Sequence, residues 1–199
     1  MQHSHQVRFY LVRHGRTALN AADRLRGLAD PELDATGIAE AAAAGIALRS
    51  SGIEYFAASP LRRARLTAQI IAENSDVPWQ VTSGFTDRDY GQWTGRSRKE
   101  VVEQWGSVDD APGVEPCEAV TQRALGALEL LTSDPHGNRV IGIVTHDAVI
   151  RPLLAAMDPS ITAHVPTGSW AVIDYSDRVW QVRSVDNLPQ PEDPPPVLE

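Results

Sequence analysis

Residues 10–16 read Tyr10-Leu11-Val12-Arg13-His14-Gly15-Arg16, and they close an apolar run that begins with Val7 and Phe9. Apolar residues crowded into so short a span predict a buried strand over about 7–13. The strand delivers Arg13 and His14 at its carboxyl end, and Gly15 lets the backbone turn away sharply. In open α/β sheets, chemistry is placed beyond the carboxyl ends of the strands. An imidazole with an ordinary pKa of about 6.5 is a competent nucleophile at neutral pH, and a neighbouring guanidinium holds an anion against it. The pair points to attack on something negatively charged, most naturally a phosphate.

Strand-like and helix-like segments alternate through the rest of the chain, which predicts an α/β layered domain. A polar loop occupies 15–33. Asp34 is placed to cap a helix reaching to about 50, where Ala39 and Ala41 to Ala44 supply a small packing face. A second strand over 53–58 ends at Ser59-Pro60, where serine can cap and proline can occupy the first turn of a helix to about 74. A short strand at 79–82, a polar aromatic loop at 86–95, and helices at 98–105 and 117–131 follow. The strongest later signal is 139–145, a strand that ends at His146-Asp147 and passes into an apolar helix over 148–156. Strands at 170–175 and 179–185 form a hairpin around Ser176-Asp177. Two strands far apart in sequence thus each present a histidine at the carboxyl end.

The 199 residues fit one domain, expected over 1–186, with a proline-rich extended tail over 187–199. Hydrophobic residues make up 42% and charged residues 22%, and no apolar run approaches the ~20 residues that cross a bilayer. A net charge of −8 opposes broad binding to a nucleic-acid backbone. Residues 1–6 have neither the basic start nor the apolar core of a secretory signal, and a lone Cys117 fits a reducing cytosol. A cytoplasmic protein with no membrane or nucleic-acid partner is expected. Positive charge should be local, from Arg13/Arg16, Arg24/Arg26, Arg62/Arg63/Arg65 and Arg96/Arg98. Helical geometry cannot aim Arg62, Arg63 and Arg65 at one target, so at least one of them faces solvent.

Four segments, in order, carry a family likeness: Arg13-His14-Gly15 with Thr17 and Asn20; Ser59-Pro60-Leu61-x-Arg63-Ala64-x-x-Thr67-Ala68; Gly91-x-Trp93-x-Gly95; and Val144-Thr145-His146. Together they resemble the histidine phosphatase superfamily in its phosphoglycerate mutase-like branch, over about residues 7 to 185. The resemblance implies a three-layer α/β/α sandwich with a mostly parallel central sheet. It makes His14 the phosphoryl-accepting nucleophile, Arg13, Arg63 and His146 its phosphate-binding companions, and Asn20, Arg26 and Gly27 a looser lining. It implies a small phosphomonoester as substrate, with neither metal nor other cofactor, and leaves a homodimer open.

The chain departs from that pattern at four places. Asp87 stands where the branch usually has glutamate, in Phe85-Thr86-Asp87-Arg88-Asp89-Tyr90-Gly91, a loop that would also bring Tyr90 to the substrate. Asp147 stands where glycine is usual, and the His146-Asp147 pair is similar to the acid phosphatase branch, whose aspartate donates the proton. Two carboxylates compete for one role, and Asp87 is the expected donor, with Asp147 beside the substrate. Arg16 and Thr94 replace acidic or amide residues near the mouth. Asp89, His3, His5, His136 and His164 join no constellation. A metal site built from His14, His146, Asp87 and Asp147 has suitable ligand types, but the adjoining arginines would repel a cation. The interval from Trp93 to His146 looks too short for a covering segment, so an open pocket and hydrolysis are expected, ahead of mutase-type transfer or a non-catalytic phosphate-binding module.

Overall fold

The structure is a computed structural model that describes residues 6–73, 75–133 and 139–190. Its centre is β1 (Val7–Arg13), flanked by β4 (Val140–Thr145) in parallel and β5 (Trp170–Ser176) antiparallel. With β2 (Tyr55–Ala58), β3 (Trp79–Val81) and β6 (Val179–Asn187) these form a six-stranded sheet of order β3-β2-β4-β1-β5-β6. The first four strands of that order are mutually parallel.

Alternation along β1 sends successive side chains to opposite faces. Val7, Phe9 and Leu11 meet Ile141 and Ile143 under α5 (Cys117–Thr132) and α6 (Asp147–Met157), which contribute Val120, Leu128, Ile150 and Leu153. Val12, Phe56, Ala58 and Val144 are covered on the other face by α2 (Ala35–Leu48) and α3 (Arg62–Glu73), through Ala44, Leu48, Ala64, Ala68 and Ile71. This is the expected three-layer α/β/α sandwich. Two short helices, α1 (Ala18–Ala21) and α4 (Arg98–Trp105), lie outside those layers, and Val101 of α4 packs with Leu25, Tyr90 and Val108 in a smaller cluster.

Several local expectations shift. The polar stretch 15–33 contains α1, held by a capping box in which Thr17 and Asn20 bond each other's backbone N–H. α3 begins at Arg62, two residues after Pro60; Ser59 Oγ accepts from Leu61 N only at 3.4 Å and pairs with His146, while Asp30 Oδ1 accepts from Arg62 N at 2.7 Å. α6 starts at Asp147 itself. The hairpin turn is centred on Asp177-Arg178, both with positive φ (52° and 65°), one residue later than expected. β6 runs to Asn187, into the first position of the expected tail, and residues 191–199 of that tail lie outside the described residues.

Gly15 differs in its reason. It has no positive φ; a Cβ there would lie 2.2 Å from Gly37 O, and one on Gly37 would lie 2.1 Å from Arg16 O. The loop after β1 crosses the first turn of α2 backbone on backbone, and only two glycines permit it.

Candidate active site

β1, β4 and β2 end side by side, with Arg13 opposite Thr145 and Ala58 opposite Val144. The ladders extend one bond further: His14 N donates to Thr145 O at 3.0 Å, and Ser59 N to Val144 O at 2.9 Å. This register sets the His14 and His146 rings 5.0 Å apart between centroids. Ser59 leads into α3, whose buried side carries Arg63 while Arg62 and Arg65 face solvent.

His14 Nδ1 lies 2.7 Å from Gly15 O. A carbonyl only accepts, so Nδ1 holds the proton and Nε2 keeps its lone pair. That Nε2 is buried without a hydrogen-bond partner. Burial first, then His146, Arg63, Arg13 and Arg26, hold the His14 pKa well below 6.5. The arginines disfavour its cationic form, but removal from water acts more strongly.

The same burial followed by Arg63, Arg26 and Arg13 keeps His146 neutral, its Nε2 paired with Ser59 Oγ at 2.8 Å and its Nδ1 facing Asp87 Oδ2 at 3.5 Å. Arg63, wholly buried, donates to Ala29 O (2.8 Å), Gly27 O (2.9 Å) and Asp87 Oδ2 (2.8 Å). Arg13 Nη1 donates to Val165 O at 2.7 Å. Val165 is a β-branched residue at φ 50°, held there by Asp186, which accepts from the backbone N–H of His164 and Val165 at 2.9 and 2.6 Å. Such a backbone costs about 1–3 kcal/mol and persists only where its surroundings impose it. Here it turns a carbonyl onto a guanidinium.

The two carboxylates have opposite environments. Burial pushes the pKa of Asp87 up, against the pull of Arg63. Burial also opposes ionisation of Asp147, but Arg13, Arg26 and Arg151 outweigh it and hold that carboxyl well below the usual range. Asp147 Oδ1 accepts from Arg26 Nη2 at 2.6 Å and lies 3.4 Å from Arg13 Nη2, while Oδ2 accepts from Arg151 at 3.1 Å. Nε of Arg13, Arg26 and Arg63 remains buried with no hydrogen-bond partner. Unmet buried donors are unfavourable by about 1–3 kcal/mol each, and cationic ones around two neutral imidazoles suit an anion. Among the described residues, no group of three His, Cys, Asp or Glu is placed to hold a metal ion.

A family model described as "Histidine phosphatase superfamily (branch 1)" matches residues 9–188. The chain belongs to that superfamily. It is 29% identical over 177 residues to a protein named uncharacterized phosphatase PhoE from Bacillus subtilis, covering 87% of this chain and 91% of that one. It is 33% identical over 164 residues to a 2,3-bisphosphoglycerate-dependent phosphoglycerate mutase from Bartonella quintana, covering 74% and 80%. A solved phosphoglycerate mutase from Bacillus anthracis shares the fold, with a TM-score of 0.82, 24% identity and coverage of 92% and 94%.

In this histidine phosphatase the structure brings together His14, Arg13, Arg63, His146, Asp87, Arg26 and Asp147. Gly27 contributes its carbonyl to Arg63, and Tyr90 is buried beside it, its ring carbon 3.0 Å from where a Gly27 Cβ would lie. Asn20 is different, since its side-chain oxygen accepts from Thr17 N at 3.0 Å and Thr17 Oγ1 at 2.8 Å. The expected open pocket needs correction, because His14, His146 and Arg63 are fully buried. Open space lies instead beside the carboxylates. A cleft of about 510 Å³ runs past Asp147, Arg151, Arg88, Arg98 and Tyr90, and another of about 570 Å³ borders Asp87, Leu28 and Arg123.

Sequence reasoning missed Ser59 as the partner of His146, and Thr67, whose Oγ1 accepts from Gly15 N at 3.1 Å. Both lie inside a quoted motif, which was the available signal. Arg151 and Arg123 sit on helices with no motif around them.

Proposed function

We propose that this chain is a metal-independent phosphomonoesterase acting through a phosphohistidine on a small phosphorylated metabolite. One observation carries the reading: His14 Nε2 is buried, unprotonated and unpartnered, while Nδ1 is tied to Gly15 O. Arg13, Arg26 and Arg63 around it supply the positive charge that phosphoryl transfer needs.

In the first step Nε2 attacks phosphorus in line, the N–P bond forms and the P–O bond to the alcohol breaks. Asp87, whose pKa burial raises above 3.8, gives its proton in the acid form to the leaving oxygen. In the second, Asp87 as carboxylate takes a proton from water, whose oxygen attacks phosphorus, releasing inorganic phosphate and returning His14 to its starting form. The cleft bordering Asp87 favours hydrolysis, since it brings solvent up to that residue, although the carboxyl itself is buried.

Mutase-type transfer is the second reading, favoured by the likeness to the Bartonella mutase. The deciding experiment follows p-nitrophenyl phosphate turnover with and without EDTA, traps ³²P on the protein in wild type and in His14→Ala, and tests 3-phosphoglycerate isomerisation with bisphosphoglycerate present. The proposal expects EDTA-insensitive hydrolysis and label only in wild type. No turnover between pH 4 and 9, with phosphate still bound, would instead describe a binding module, and efficient isomerisation would describe a mutase.

A further inference from the structure

Arg123, midway along α5, makes five hydrogen bonds. Nη1 donates to Gly84 O (2.9 Å) and Thr86 O (2.7 Å), Nη2 to Asp87 O (3.0 Å) and Glu115 Oε2 (3.3 Å), and Nε to Glu115 Oε1 (3.0 Å). A guanidinium has five N–H groups, so all are engaged. Three of the acceptors are backbone carbonyls of the short loop that ends at Asp87. On the far side of Asp87, Glu115 Oε2 also accepts from Asp89 N at 3.0 Å, and Glu115 N donates to Asp89 O at 2.8 Å. The acid is bracketed on both sides.

Gly84 shows independently how closely this loop is drawn onto α5. A Cβ there would lie 2.5 Å from Ala127 Cβ and 3.1 Å from Arg123 O. From the opposite direction, Thr145 Oγ1 donates to Phe85 O at 2.7 Å, tying the loop to the strand that ends in His146. The Asp87 side chain is thereby presented to Arg63 at 2.8 Å and to His146 at 3.5 Å.

We infer that Arg123, with Glu115 as its counterion, is a positioning residue that sets the Asp87 carboxyl at the point where the leaving oxygen needs its proton. This rests on the reading of Asp87 as the general acid. Apart from a small charge effect on His146, Arg123 reaches the reaction through Asp87 and touches none of Arg13, Arg26 and Arg63, so its loss should not weaken an anion held by those three. Proton donation matters most when the leaving group is a poor one. A positioning defect therefore has a signature that general damage lacks.

The test compares kcat/KM for p-nitrophenyl phosphate and for glycerol 2-phosphate, an alkyl ester, in wild type, Asp87→Asn, Arg123→Lys, Arg123→Gln and Glu115→Gln, with the inhibition constant of inorganic phosphate measured in each. General acid help is worth about 10²–10⁴-fold, so misalignment in Arg123→Gln is expected to lower alkyl-ester turnover by at least ~10-fold more than aryl-ester turnover. Arg123→Lys and Glu115→Gln, which retain part of the bracket, are expected to fall between it and wild type, with phosphate inhibition unchanged throughout. Should Arg123→Gln fail to fold, those two carry the comparison. Equal losses on both esters, or weakened phosphate binding in step with activity, overturn the inference while Asp87→Asn still discriminates between esters. If Asp87→Asn itself does not discriminate, the acid assignment fails and the inference falls with it.

Discussion

Arg26 Nη2 and Asp147 Oδ1 meet at 2.6 Å in the interior, joining the loop after α1 to the first residue of α6. With Arg13 and Arg151 also on this carboxylate, its pKa is held well below the usual carboxylate range and the ionised form is favoured. An ionised carboxylate is a poor proton donor, and this one anchors two of the arginines beside His14.

The two aspartate variants should therefore fail differently. Asp87→Asn is expected to lower turnover of an alkyl phosphate by about 10²–10⁴-fold, the usual worth of a general acid. Asp147→Asn is expected to raise KM more than it lowers kcat, because Arg13 and Arg26 lose their anchor. Steady-state kinetics on one poor-leaving-group ester decide it, and a larger kcat loss in Asp147→Asn would reverse the assignment.

The pH profile follows from the two shifts. His14 must be neutral to attack, and its lowered pKa keeps it so well into the acid range. Asp87 must be protonated to donate, and its raised pKa extends that state upward from 3.8. Activity on alkyl esters is expected to decline as pH rises through the Asp87 pKa. That basic limb should be absent from the residual activity of Asp87→Asn, measured between pH 4 and 9.

Two glycine-to-alanine changes should move stability in opposite directions. In Gly37→Ala the new methyl meets Arg16 O at 2.1 Å, a backbone atom that cannot swing aside. Overpacking of this kind is unfavourable by about 1–3 kcal/mol, and a chain this long loses roughly 2–4 °C of Tm for each of those. Gly126, inside α5, has nothing within 4 Å of its added Cβ, so Gly126→Ala should gain about 0.5–1 kcal/mol from helix propensity alone. Thermal unfolding of the pair is sufficient.

Asp174 makes stability acid-sensitive away from the site. Its buried carboxylate accepts from Arg8 Nε at 2.7 Å and Nη2 at 3.0 Å and from Arg183 Nε at 2.7 Å, and the Arg8 bond first of all lowers its pKa below 3.8. A depressed folded-state pKa gives stability that is complete above the unfolded value and lost as pH falls through the folded one. Asp174→Asn is expected to destabilise by about 1–3 kcal/mol at pH 7, with the gap closing below pH 3.8. Urea unfolding at the two pH values would show it, and a gap independent of pH would count against it.

Most of the sheet and the cluster of Arg13, His14, Arg63 and His146 were readable from residues alone. Each of β1, β2 and β4 is a short apolar run that ends in a polar motif, and parallel pairing of such strands brings those ends together. What the chain did not reveal depends on contacts between distant segments. The tie of Ser59 to His146 spans 87 positions and the reach of Arg123 to Thr86 spans 37, and no local pattern encodes either. The burial of His14 was illegible for the same reason, since the groups around it, Arg26, Arg63 and His146, come from segments far apart in the chain.

The bond from His14 Nδ1 to Gly15 O has a stereochemical outcome. An imidazole carries two nitrogens and can form two phosphorylated isomers, but here one nitrogen is committed as a donor to the next residue's carbonyl. Under the proposed mechanism the phosphoryl group is expected on Nε2, as the τ isomer rather than the π isomer. The molecule thereby determines which of two chemically distinct phosphohistidines an isomer-specific antibody would recognise.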